Sequence, residues 1–154
     1  MNSHMVSDLK AQIRTGTPLD VEDAWAIAKR VVDPEGKGLN DHFQKVSFSL
    51  LTGVILHVVY AEPDKTLRGV VAYLSNPRAG LAGCDRCNPD AFEKMTKAEH
   101  DPEGRFHWKD RHGEAVRVHP VIAQIGKELL NRPDNEQSGI TSTMMYFLSE
   151  YASR

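Results

Sequence analysis

The stretch from Asp41 to Ala61, DHFQKVSFSLLTGVILHVVYA, constrains this chain more than any other. Phe43, Val46, Leu50, Val54, Ile55, Val58 and Val59 recur at steps of three and four, the period of a helix that buries one face. Leu51, Leu56 and Tyr60 add apolar groups around much of the rest, so the helix is expected to be enclosed on most sides. Its uncharged run stops short of the roughly 20 mostly apolar residues that a bilayer span takes. It also carries Ser47, Ser49, Thr52 and His57, and it reads as a core helix rather than a membrane helix. Within it His57 is expected to be a hydrogen-bonded core residue.

A chain of 154 residues fits one domain and can bury about two thirds of its unfolded surface. Hydrophobic content of 40% and charged content of 26% place it among globular proteins rather than disordered ones. A net charge of -2 argues against coating nucleic acid through a broad basic surface, although a local patch is compatible with it. The two cysteines make no disulfide framework and nothing resembles a secretory signal, so a reducing compartment is expected. Residues 1–5, including Asn2-Ser3-His4-Met5, resemble an expression-tag scar, and the natural polypeptide is expected to be longer.

Residues 6–154 are read as one domain. Leu9 and Ile13 mark a short lead-in element. Thr17-Pro18-Leu19-Asp20 is a helix-start pattern, with a hydroxyl for an orphan amide, proline where its missing N–H costs nothing, and acids in the first turn. That helix is expected to run to about Val32, burying Val21, Trp25, Ile27, Ala28, Val31 and Val32. The turn Asp33-Pro34-Glu35-Gly36-Lys37-Gly38 ends it, His42 is expected to support that turn, and Asn40 to cap the central helix.

A shorter helix follows with Thr66 as cap and Leu67, Val70, Val71 and Leu74 inward, stopped by Ser75-Asn76-Pro77. Pro89 opens another, carrying Phe92, Met95 and Ala98. Residues 101–118 are polar and without period, which predicts a surface excursion. His119-Pro120 starts a helix through Leu130, and a last helix is expected from about Ser138 to Tyr151, where Gly139 can admit a neighbouring helix closely. No segment alternates with period two. The fold class is therefore all-α, a compact bundle of six to seven helices around the central one.

Four groups of residues are candidates for chemistry. Gly36 and Gly38 invite a phosphate-loop reading, but a helix precedes them and Lys37 lacks the following Ser or Thr. Cys84-Asp85-Arg86-Cys87 has the spacing of two zinc thiolates, with His107 and His112 as a further pair, or it is simply two reduced thiols in a loop. Asp20, Glu22 and Asp23 sit where acids answer a helix dipole, and Ser138, Ser142 and Ser149 have no His and Asp at recognisable spacing. Lys94, Lys97, Arg105, Lys109, Arg111 and Arg117, with Phe106 and Trp108 available to stack on bases, could face nucleic acid or a protein partner. Acids matching these bases run through the same stretch, so a solvated face of mixed charge is the simpler reading, and any DNA binding there would be modest and salt-dependent.

From Asp33 onward the chain resembles a known family. Asp33-Pro-Glu-Gly-Lys-Gly-Leu-Asn-Asp-His-Phe and Leu50-Leu-Thr-Gly-Val-Ile-Leu-His-Val-Val-Tyr-Ala resemble the TraG-type coupling proteins of type IV secretion in conjugation. So do Lys65-Thr-Leu-Arg-Gly, Leu74-Ser-Asn-Pro, Glu99-His-Asp-Pro, His119-Pro-Val, Asn135-Glu-Gln-Ser-Gly-Ile-Thr-Ser-Thr and Phe147-Leu-Ser-Glu-Tyr, in family order.

The resemblance implies a ring-forming, hexameric motor ATPase with a membrane anchor and a nucleotide-binding domain that holds ATP and Mg. It implies that this chain is the all-α domain excised from that ATPase, lying at the cytoplasmic face of the bacterial inner membrane without touching the bilayer. The domain would receive the relaxase–DNA complex (the relaxosome) or secreted effectors, and would need no catalytic residue or cofactor of its own. The Cys84–Cys87 loop is not a family feature, and the low basic content moves the weight from direct single-stranded DNA contact toward protein recognition.

Overall fold

The computed structural model describes residues 8–75, 88 and 90–151. Among these residues seven α-helices occur in order: α1 Leu9–Gln12, α2 Asp20–Val32, α3 His42–Ala61, α4 Leu67–Leu74, α5 Asp90–Lys97, α6 Pro120–Leu130 and α7 Asp134–Leu148. A 3-10 turn, Ser149–Tyr151, closes the described chain. An isolated antiparallel bridge pairs Lys109 with Ala115.

Helix α3 is the axis, as its period predicts. Leu51, Val54, Ile55, Leu56, His57 and Val58 are all fully enclosed, because α2, α4, α6 and α7 pack around them. By length and composition α3 could cross a membrane, yet it is mostly buried inside this fold. Glycines set how near the neighbours come. A Cβ on Gly53 would fall 2.7 Å from Ile125 of α6, and one on Gly139 of α7 would fall 2.7 Å from the Phe43 ring. The close approach expected at Gly139 is therefore present. Ser47 in turn donates to the Ile140 carbonyl at 3.0 Å, tying α3 to the same part of α7.

Several local expectations change. Asp41, not Asn40, caps α3: its carboxylate accepts the Gln44 amide at 2.8 Å, while the Gln44 side chain reaches back to the Asn40 amide at 3.0 Å. This reciprocal pair is a capping box displaced by one residue. His42 does not support the glycine turn but meets Glu136 of α7 at 3.0 Å. Helix α2 starts at Asp20, and the Thr17 hydroxyl accepts from Leu19 in the turn before it. Trp25 is not buried: it is 48% exposed and lies edge-on against Phe48. Helix α7 begins at Asp134, one turn before the expected Ser138, with Pro133 in the capping position.

Thr66 caps α4 as expected, accepting the Gly69 amide at 3.0 Å. Asn76, Pro77 and Pro89, assigned to helix boundaries by sequence, lie outside the described residues, as do Cys84 and Cys87.

Candidate functional site

Residues 101–118 carry the largest departure from expectation. Their ends are not on the surface: His100, Asp101 and His119 are each 4% exposed or less. The segment is pinned by a polar network that runs through the interior, and the side chains come from five separate parts of the chain.

The network can be followed proton by proton. The His119 amide donates to His100 Nδ1 at 3.0 Å, so that nitrogen must be the acceptor of its ring. His100 Nε2 therefore bears the proton and donates to His57 Nδ1 at 2.8 Å. His57 Nε2–H in turn donates to Glu62 Oε2 at 3.0 Å, an oxygen that also accepts from Lys94 at 2.7 Å. One backbone amide thus fixes both histidine tautomers.

A second branch starts at the His119 side chain. Its Nδ1 accepts the Val121 amide at the head of α6, which leaves Nε2–H to donate to Asp20 Oδ2 at 2.8 Å. Tyr60 donates to the same oxygen at 2.6 Å and accepts from the Gly16 amide at 2.7 Å. Gly16 has φ +76, and a Cβ there would strike the Phe106 ring, so glycine is required on both counts. The rings close over this branch. Trp108 lies 4.5 Å from His119 and 5.5 Å from Tyr60 between ring centres, and Phe106 lies 5.3 Å from Trp108.

Burial holds the His57 imidazole below the usual histidine range despite Glu62, and burial together with the neighbouring His57 and His119 brings His100 down to about 3. Burial alone would raise Asp20, but the bonds from His119 and Tyr60 outweigh it and keep the carboxyl below its ordinary value. Glu62 is lowered in the same way, its bonds from Lys94 and His57 overcoming burial. Burial and Asp20 push the Tyr60 hydroxyl up. Asp20 and His119 form an acid–histidine pair, but the second nitrogen of His119 already accepts a backbone amide. The pair cannot take a proton from a nucleophile; it fixes the segment in place.

Other sequence candidates lie elsewhere. Asp23, read as a dipole acid, forms a two-point pair with Arg14 at 2.6 and 2.9 Å. In the glycine turn, the Asp33 carboxylate accepts the Lys37 and Gly38 amides at 2.9 and 2.8 Å. The amides a phosphate would need are already taken by a carboxylate of the same sign, so the turn does not fit a nucleotide. His107 and His112 are exposed, and among the described residues no three His, Cys, Asp or Glu side chains gather as metal ligands.

The basic candidates do not form one cluster of unmatched charge. Lys94 pairs with Glu62 at 2.7 Å, Lys97 with Glu93 at 2.8 Å, and Arg105 with Glu103. Arg117 donates to the Pro102 carbonyl, and Arg111 lies beside His112. Lys109 sits on the bridge with Ala115. Trp108 and Phe106 are engaged with Tyr60 and His119 rather than presented for base stacking, although Phe106 remains partly exposed.

Sequence reasoning missed the network apart from His57. Asp20, Tyr60, Glu62, His100 and His119 come together from positions up to 99 apart in the chain. The available signal was weak: His119 next to Pro120 at a helix start, and a histidine inside an apolar run.

Comparison with known proteins follows the same boundaries. The family model described as type IV secretory system conjugative DNA transfer matches residues 9–154. Two conjugal transfer proteins TraG of Escherichia coli are 32% and 33% identical over 140 residues. That alignment covers 91% of this chain but 20% of each relative, so the chain spans about a fifth of their length. No solved structure matches.

Proposed function

This chain belongs to the family of type IV secretory system conjugative DNA transfer proteins, and we propose that it is the substrate-receiving module of a coupling ATPase. In this reading it engages the relaxase–DNA complex, or effector and adaptor proteins, and performs no catalysis itself. The parent is a hexameric, membrane-anchored ATPase that holds ATP and Mg in another domain. This module lies at the cytoplasmic face of the inner membrane.

The observation that carries protein recognition over direct DNA contact is that half of the six basic candidates are paired within the chain. Backbone-tracking proteins present cations to phosphates. Here Lys94, Lys97 and Arg105 are each matched by a glutamate of the same chain.

The test is retention of partners on the immobilised chain. The cognate relaxase, alone or with its accessory proteins, is expected to be held at physiological salt. Labelled single-stranded DNA is expected to give no shift, or only one that disappears as salt rises. Failure of every cognate relaxosome protein to bind, with tight binding of the DNA alone, would overturn the proposal in favour of a DNA-binding module.

A further inference from the structure

Beside the histidine network lies an open cavity of about 260 Å³. Lys10 of α1, Lys65, Tyr60, Pro102 and Phe106 are among the residues that line it. Arg105 and two acids, Asp101 and Glu103, complete the rim. Those acids are already committed. Both Asp101 oxygens accept backbone amides, of Arg105 and Phe106, at 2.9 Å, and Glu103 pairs with Arg105.

The two lysines are not matched in this way. Neither has an ion-pair partner among the described residues. Lys65 is nonetheless fixed in position, donating to the Val59 carbonyl at 2.7 Å and the Glu62 carbonyl at 2.8 Å, which leaves one N–H for another acceptor. Burial, with the neighbouring Lys10 ammonium, holds Lys65 below the usual lysine range. Two ammonium groups line one cavity together with the apolar Pro102 and Phe106, an arrangement that an incoming anion relieves.

We propose that this cavity receives a carboxylate of an acidic peptide segment, seated between Lys10 and Lys65, with an adjacent apolar side chain against Pro102 and Phe106. The inference rests on the reading of this chain as a protein-recognition module and names the chemistry of the partner. A peptide carboxylate fits better than free phosphate because the cavity also offers the apolar Pro102 and Phe106, which can take a neighbouring side chain that phosphate lacks.

Trp108 supplies the readout, since its ring contacts Phe106 at a tilt and Tyr60 edge-on. The chain has two tryptophans, and the other, Trp25, is exposed, so Trp25→Phe leaves Trp108 as the sole reporter. A blocked peptide of alternating leucine and glutamate is titrated against this protein, with the glutamine version and inorganic phosphate as controls. The glutamate peptide is expected to change Trp108 emission saturably and the glutamine peptide to leave it unchanged. Lys10→Glu, on an exposed position, is expected to lower affinity at least tenfold, and Lys10→Gln by less.

An equal response to the glutamine peptide, unchanged affinity in Lys10→Glu, or competition by phosphate as strong as by the peptide would each overturn the proposal. Relaxase retention is measured on the same proteins. Retention by the unsubstituted chain without any peptide response removes the cavity but not the recognition function. A peptide response without relaxase retention supports the cavity and removes the relaxase reading.

Discussion

His57 was legible from sequence because a histidine in an apolar helical run needs hydrogen bonds. Its partners were not legible. His100 and His119 flank a polar segment where histidine signals nothing, and Asp20 has the position of an ordinary dipole acid. Only the fold brings them to one place. The consequence for stability has a definite sign. Below the ordinary histidine value of 6.5 the unfolded chain protonates residues 57 and 100, while the folded state keeps both neutral, His100 down to about 3. The unfolded state then binds more protons, so this contribution is complete above pH 6.5 and is lost as pH falls. While both differ, the slope is about 1.4 kcal/mol per pH unit for each histidine. The lowered Asp20 and Glu62 act in a lower window: their contribution is present above the unfolded carboxyl values and is lost as pH falls through the folded ones. Urea unfolding across pH 7.5 to 4.5 is expected to show the loss begin near 6.5, and His100→Asn to flatten part of it. A profile level down to pH 5 would mean that these rings are not held neutral.

At the level of elements, sequence was most reliable where period and length agreed. Helix α3 was expected from Asp41 to Ala61 and is found at His42–Ala61. Its start was misread by one residue because Asn40 and Asp41 are both good caps, and only geometry decides which side chain reaches the orphan amide. Asp41→Ala is expected to cost about 1 kcal/mol. Asn40→Ala should cost under about 0.5 kcal/mol, as at ordinary surface positions. Chemical denaturation of both variants checks this, and equal costs would return the cap to Asn40. The segment from Asp101 to Val118 was the element least open to sequence reading. Its anchors are aromatic and histidine side chains in polar surroundings, and neither helix nor strand periodicity describes a segment held by ring packing.

For the molecule as a whole, the fold class followed from the absence of period-two segments, and the enclosure of α3 followed from its composition. The packing partners of α3 did not, since contacts between distant helices leave no local mark. With α2, α4, α6 and α7 all resting on α3, no helix of that set can leave without opening the core. Helix content by circular dichroism and Trp108 emission in Trp25→Phe protein are therefore expected to report one coincident unfolding transition. An earlier change in Trp108 would show that the segment between His100 and His119 opens by itself.

The hydrogen bonds that run from the His119 amide to Glu62 also give the interior a handedness of protons. A histidine pair can in principle exist as two protonic isomers, with the rings pointing their N–H groups one way or the other. Here the amide at one end can only give and the carboxylate at the other can only take, so a single isomer is compatible with both ends. The two rings cannot reverse separately. The Glu62 carboxylate is thereby joined through both rings to the His119 amide that leads into α6, a path made only of hydrogen bonds.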